Sequence, residues 1–354
     1  MTGYIIRRLL LVPLLLFGTT VLIFSFTQLL DPVQRSSLYL RDIPHNEAAW
    51  DAAIKRYCLD CPPWVQYWNW MVGVEDPGTG QIRGGLLRGN LGYSISGRQY
   101  VTELLAQRFP ATLELTLFAF PVLVGGGVWL GMVSALHHNR WRDQVLRVFS
   151  IIGYSFPTFV FGLIVLMLFY AQRQWFPPGR LSFWATREVL SDSFQQFTHL
   201  MTVDALLNLR FDIFIDALRH LVLPIITLSY LSWALLLRVT RSSMLETLRQ
   251  DYVTTARAKG LTERAVVNKH ARPNAMLPVA TVAGFTAVAL LNGVVITETI
   301  FDFPGIGSSA ARAAVQLDVV TVLGLALFTG FLLVMANLVV DILYVFIDPR
   351  IRLE

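Results

Sequence analysis

The chain reads as an all-α membrane protein with six transmembrane helices, and three observations lead there. Of its 354 residues, 54% are hydrophobic and only 15% charged, whereas soluble chains carry about 25% charged residues. Mean hydropathy is +0.53. The apolar residues gather into runs long enough to cross hydrocarbon as helices, which takes about 20 residues, and polar stretches separate them. The net charge of +5 points to membrane topology and not to nucleic acid, because the basic residues stand beside the apolar runs.

Arg7 and Arg8 precede a first run over 9–30. It is too long for a signal-peptide core and lacks a small-x-small cleavage site, so it is expected to stay as a helix. Residues 31–103 are polar and mixed, and predict an external region. Within it, Trp64, Tyr67, Trp68 and Trp70 suit a helix at headgroup depth. Cys58 and Cys61 form a single C-x-x-C. A structural zinc site needs two further ligands, so the pair is either a small disulfide or two incidental thiols.

The second run, 111–136, carries Pro121 and the glycines Gly125, Gly126 and Gly127. Such small residues let helices approach closely. Glu114 inside it is a functional candidate by default, but a structural partner is the preferred expectation, such as an arginine on a second subunit. A short internal loop over 137–143 leads to a third run, 145–170, with Gly153, Pro157 and Gly162. Residues 172–219 predict a second external segment, with a turn at Trp175 to Gly179 and a surface helix over 211–218. The fourth run, 220–237, has Pro224 in its first turn. The fifth covers 276–296 and the last 319–347, where Asp341 is expected to pair with a loop arginine. Placing both termini inside puts Arg7, Arg8, Arg140, Arg142, Arg147, the basic residues from Arg238 to Arg272, Arg350 and Arg352 in internal segments. That bias sets the orientation.

A basic polar island over 252–278 separates the fourth and fifth runs. Leu245, Leu248, Tyr252 and Ala256 recur at helical spacing, which predicts an amphipathic helix. Gly260 supplies a stop, since it takes left-handed backbone without penalty. Thr262 then caps a second short helix, with Glu263 in its positive first turn. Pro273 and Pro278 mark the return to apolar sequence, the second tolerated near a helix start. The product is a helix–Gly–helix elbow at a membrane face.

DYVTTARAKGL over 251–261, with Lys269, His270 and 274–278, resembles the EAA loop of ABC-importer permeases, in the variant carried by the dipeptide/oligopeptide permease family. Thr254, followed by Thr255 and Ala256, replaces the acidic residue that names the wider motif. The resemblance covers nearly the whole chain. Residues 87–94 are similar to the family's R-G-D-L-G-x-S segment, with Asn90 where an acid is usual. Residues 298–307 are similar to its ExxFxxPGxG element, and Asp348-Pro349-Arg350 to its D-P-R ending.

The resemblance implies a type I ABC-importer permease fold with both termini cytoplasmic, in a bacterial or archaeal plasma (inner) membrane. Its parts would be an N-terminal helix plus external region over 1–103, and a five-helix core over 104–354 with a coupling loop over about 245–272. The complex would hold a second homologous permease chain, two ABC ATPase subunits or domains and an external substrate-binding protein, amid membrane lipid. Substrates of the family are mostly dipeptides and oligopeptides, with nickel chelates, oligosaccharides or opines in some members.

Only three lysines occur, Lys55, Lys259 and Lys269, and none follows a glycine. A Walker A phosphate loop is therefore excluded, and ATP and magnesium belong on the partner ATPase. The chain is expected to bind no cofactor or metal of its own. The elbow's residues toward the ATPase are Thr254, Thr255, Ala256, Arg257, Ala258, Lys259, Gly260, Leu261, Thr262, Glu263, Val266, Val267 and His270. Asn292, Glu298, Phe301, Pro304 and Gly305 are candidates for the translocation path or outer gate. Glu298 could instead be satisfied by backbone at a helix end. The competing readings are a secondary transporter using Glu114 and Asp341 as proton carriers, and a non-transporting scaffold. A membrane enzyme comes third, for want of a catalytic constellation.

Overall fold

The computed structural model describes residues 2–36, 38–39, 47–75, 80, 82–291 and 294–347. In chain order the helices are α1 (Thr2–Thr27), α2 (Pro32–Ser36), α3 (Glu47–Arg56), α4 (Pro63–Val72), α5 (Val101–Leu136), α6 (Trp141–Ser155), α7 (Thr158–Leu166), α8 (Phe183–Val189) and α9 (Met201–Leu207). They continue with α10 (Phe211–Leu248), α11 (Asp251–Ala258), α12 (Glu263–Ala265), α13 (Arg272–Leu291), α14 (Val295–Ile300), α15 (Ile306–Val315) and α16 (Val319–Ile347). Two short antiparallel pairs join β1 (Val74–Glu75) to β2 (Ile82–Arg83) and β3 (Tyr93–Ser94) to β4 (Gln99–Tyr100). Among the described residues, five helices are long and apolar enough to cross a membrane, and a bent pair makes a sixth if counted as one span. Helices prevail because a backbone in hydrocarbon must satisfy its own polar groups. The chain divides into two compact units, Met1–Pro110 with Gly305–Val339 and Ala111–Pro304 with Val340–Glu354.

In the first unit, Cys58 and Cys61 are joined by a disulfide across the turn between α3 and α4. The Gln66 side-chain amide donates to the Leu59 and Cys61 carbonyls of that turn, at 3.0 and 2.6 Å. The aromatic residues of α4 do not share one face. Tyr67 and Trp70 pack on Phe24 of α1, with ring centroids at 5.3 and 5.7 Å, and the Tyr67 hydroxyl meets Thr20 Oγ1 at 2.8 Å. Trp64 and Trp68, one turn apart on another face, are exposed.

Asp318, just before α16, is almost fully buried and holds several donors. Its Oδ2 accepts the Ser94 and Ser96 hydroxyls at 2.7 Å each, the Ser96 N–H at 3.1 Å and the Thr321 hydroxyl at 2.9 Å. Oδ1 accepts the Thr321 N–H at 3.1 Å, which caps α16. The carboxylate so ties the β3–β4 hairpin to α16. Burial works to raise this carboxyl, and the hydrogen bonds from Ser96, Ser94 and the backbone outweigh it, holding it below the usual range.

In the second unit the core forms where α5, α10 and α13 meet. Ala111, Leu115, Ala119 and Leu123 recur every four residues on α5 and pack with Leu221, Leu228 and Leu236 of α10 and Val279 and Leu290 of α13. Glycine brings α5 and α10 together as expected. A Cβ on Gly126 would lie 2.5 Å from the Trp233 ring, and one on Gly127 2.5 Å from Leu236 Cβ. One on Gly131 would lie 2.5 Å from Thr240 Cβ and 2.9 Å from the Leu237 carbonyl oxygen.

Three expected spans differ in form. The third is not one straight helix: α6 and α7 are bent by 104°, because Pro157 lacks an N–H and forces Phe156 into extended backbone. The fourth begins at Phe211, so the surface helix expected over 211–218 is the start of α10 and Pro224 lies in its interior. Ile213 and Ala217 explain the merger. They close a small core with Ala185 and Val189 of α8, Phe194, and Met201 and Ala205 of α9, which makes 211–218 a buried surface. The fifth helix is described to Leu291, and Val294 stands outside helix, so no unbroken helix runs on to 296.

Two measurements check these packing arguments. Gly131→Leu should destabilise the protein by about 1–3 kcal/mol through overpacking, read as a lower midpoint for loss of monodispersity on heating in detergent. Gly125→Leu, where a Cβ meets no atom within 4 Å, should leave the midpoint unchanged. Asp318→Asn should cost about 1–3 kcal/mol at neutral pH, the penalty for a weakened buried charged acceptor. A carboxyl held below its unfolded value stabilises the fold above that value, 3.8, and the contribution vanishes as pH falls through the folded one. The difference in hydrogen exchange over 94–100 between wild type and variant should therefore close in acid.

Candidate functional site

The elbow forms as its sequence implies at the hinge and differently beyond it. α11 stops at Ala258, and Gly260 takes φ +76°, the left-handed conformation that favours glycine. Thr262 stands at the N-cap position with extended backbone, but its side chain makes no capping hydrogen bond. Glu263 instead reaches across the hinge to Arg257, with N–O distances of 2.8 and 3.2 Å. Both side chains are exposed, so this pair contributes on the order of 0–1 kcal/mol.

The arm after Gly260 is not a separate short helix that ends at Pro273. α12 passes through a wide π turn, Val266–Ala271, directly into α13. Pro273 can offer no N–H to the carbonyl four residues back, Lys269, which lies inside that wide turn, so the irregularity falls where proline would break a regular helix. Helix 263–291 is continuous and apolar enough to be one span.

The predicted elbow residues separate into two groups. Ala256 and Val266 are buried with Val253, against Leu248. Val267 is buried with Ala135, Met244, Ala271 and Ala275, and His270 is half-buried. Thr254, Thr255, Arg257, Ala258, Lys259, Gly260, Leu261, Thr262 and Glu263 are exposed. Leu261 puts an apolar side chain, 43% exposed, at the tip. The result is a polar tip with one apolar point, held by buried small residues on the two helices that flank it.

Around α14, Glu298 is fully buried and its Oε1 accepts the Thr112 hydroxyl of α5 at 2.7 Å. A side chain on another helix therefore contributes to satisfying it, beyond local backbone. Phe301 is buried against Val165 and Leu223, and Pro304 is half-buried. Gly305 belongs to the first unit, where its carbonyl accepts the Ser308 and Ser309 hydroxyls at 3.1 and 2.7 Å. Asn292 lies outside the described residues, and so does the side chain of Asp341.

Glu114 has its arginine, but from its own chain and not from a second subunit. Arg180 donates through Nε and a terminal nitrogen to Oε2 at 2.9 and 2.7 Å, and Thr202 donates its N–H and hydroxyl to Oε1 at 2.6 and 2.7 Å. Sequence reading did not pick out Arg180 or Thr202, since nothing local relates them to a residue more than sixty positions away. Asp143 and Arg241, which the sequence places only in charged internal segments, form a bidentate pair in which Asp143 is fully buried and Arg241 half-buried. An acid in the first turn after a short loop was the available signal for Asp143.

Among the described residues no three His, Cys, Asp or Glu side chains gather to hold a metal ion. Helices long and apolar enough to span a membrane, with a polar elbow between two of them, define the class of helical membrane proteins. The chain belongs to the family of binding-protein-dependent transport system inner membrane components: residues 127–353 match that family, and residues 1–116 match its N-terminal family. It is 40% identical to the di/tripeptide transport system permease protein DppB of Pseudomonas aeruginosa, over 99% of each chain. It is 36% identical to the dipeptide transport system permease protein DppB of Escherichia coli K12, again over 99% of each. A probable D,D-dipeptide transport system permease protein, DdpB of the same strain, is 41% identical over 83% of this chain and 81% of that one.

Removing one partner of a buried ion pair costs about 3–5 kcal/mol. Glu114→Ala should therefore loosen the 180–202 stretch, seen as faster hydrogen exchange there, with exchange at the elbow unchanged.

Proposed function

We propose that this chain is the translocation subunit of an ATP-driven importer of dipeptides or oligopeptides. It forms half of the pathway with a second, similar permease chain. Two ATPase chains or domains bind ATP and magnesium, and an external binding protein delivers substrate. Peptide is inferred from the relatives, whose names specify di/tripeptide and dipeptide transport. The charge bias of the short loops puts both termini and the 137–143 loop in the cytoplasm, with 31–103 and 172–219 outside.

The elbow carries this reading. Its exposed residues 254–255 and 257–263 offer a docking surface to a groove on the ATPase, with Leu261 as the apolar contact. Ala256, Val266, Val267 and His270 hold that tip to α10 and α13. When the two ATPases close on ATP, the elbows are pushed together and the movement enters the spans through those buried contacts. Glu298, Phe301 and Pro304 stay the candidates for the outer gate, where Glu298 and Phe301 would act as packed wall and not as exposed lining. Saturation of Glu114 by Arg180 and Thr202 disfavours the proton-carrier alternative.

The first test is a mild-detergent pull-down from the native membrane with mass spectrometry. A second permease-like chain and a Walker A ATPase are expected, and a homo-oligomer without ATPase overturns the proposal. The hinge gives a finer test. A Cβ at position 260 meets no atom within 4 Å, so the backbone conformation is the main penalty, about 1–2 kcal/mol for a β-branched residue. Gly260→Val should reduce ATPase co-purification and transport, and Gly260→Asn, which tolerates left-handed backbone, should reduce both less.

A further inference from the structure

Asp143 stands in the first turn of α6 with its carboxylate fully buried. Its Oδ1 accepts Arg241 Nε at 2.7 Å and the Ser134 hydroxyl. Its Oδ2 accepts a terminal Arg241 nitrogen at 2.9 Å and the Asn139 N–H at 3.0 Å. That arginine nitrogen also lies 3.1 Å from His138 Nδ1. Only the bond from Asn139 resembles helix capping. The others run to α5 and α10, so one carboxylate joins α5, the loop after it, α6 and α10. A bidentate arginine fixes orientation as well as distance.

The elbow hangs from the same stretch of α10. Met244, one turn beyond Arg241, is fully buried among Ala135, Val267, Ala271 and Ala275, and the Ser243 hydroxyl donates to the Ala275 carbonyl at 2.9 Å. The far end of the bent pair reaches the helix of Glu298. A Cβ on Gly162 of α7 would sit 3.4 Å from Ile300 of α14, and beyond α7 the Gly179 N–H donates to the Phe301 carbonyl at 2.7 Å. The α6–α7 pair thus runs from the anchorage of the elbow to α14.

We propose that Asp143 is a positioning residue for the ATP-driven step. Through Arg241 it clasps the bent α6–α7 pair to the elbow's anchorage, so that elbow movement reaches α14 and is not absorbed in the loop between α5 and α6. The inference rests on the elbow being the ATPase-docking site. It gives the break at Pro157 a role: α6 follows α10 on one side of the bend, and α7 carries the displacement to Glu298 on the other. The physical basis is the hydrogen bonds and packed contacts at the two ends, joined by α6 and α7 themselves, all within the second unit.

The test uses the whole complex in proteoliposomes, this chain purified with its accompanying permease, ATPase and binding-protein chains. Uptake of radiolabelled dialanine and ATP hydrolysis are measured side by side. Asp143→Asn keeps the shape of the clasp and removes its charge, and Arg241→Lys keeps the charge and removes the fork. Both variants should retain normal amounts of ATPase. Dialanine moved per ATP should fall about tenfold in Asp143→Asn, the scale of one weakened charge-assisted bond within a coupling free energy, and less in Arg241→Lys. A wild-type ratio in both variants overturns the clasp. So does poor assembly with an unchanged ratio in what assembles, because Asp143 would then serve stability alone. A wild-type complex that holds no ATPase overturns the docking reading itself, which is a separate result.

Discussion

The second unit depends on how closely α5 and α10 approach. In hydrocarbon no water is released when helices meet, so association relies on tight van der Waals contact and hydrogen bonds. Gly126, Gly127 and Gly131 remove the side chains that would hold the two backbones apart, and Trp233, Leu236 and Thr240 fill the space. Everything else the unit does is arranged on that contact. The Glu114–Arg180 pair ties the 172–210 stretch to one end of α5. The Asp143–Arg241 pair ties α6 to α10 near the other end of α5, and the elbow leaves from the end of α10. Two close-packed helices with a charged clasp toward each end make a stiff frame against which α13 and the bent pair are set.

That frame was partly legible in the sequence. The spans showed because hydropathy is a sum over many residues, and the glycines at 125–127 showed because small residues in an apolar run have few other uses. Gly260 was legible for the same local reason. What failed was any feature decided by tertiary partners. The merger of 211–218 into α10 depends on Ile213 and Ala217 closing a core with α8 and α9, and no window of sequence contains both sides of it. Pro273 reads locally as a break, whereas the chain accommodates it with a wide turn and α12 continues into α13. The partners of Glu114 and Glu298 were illegible for want of any local relation between the residues.

Two of the buried acids share one solution. Glu114 is met by an arginine and a threonine, Asp143 by an arginine, a serine and a backbone N–H, and each carboxylate uses both oxygens. A charge in a low-dielectric setting is tolerable only with such partners. The arrangement also limits what these groups can do. A proton carrier must alternate between a charged and a neutral form at comparable free energy while water reaches it from either side. Each of these two carboxylates has both oxygens committed to an arginine and further donors, and moving away would leave the arginine without its partner. Such groups are suited to holding helices in register. Within the function proposed above, that leaves the exposed elbow between α11 and α13 as the place where an ATPase would act.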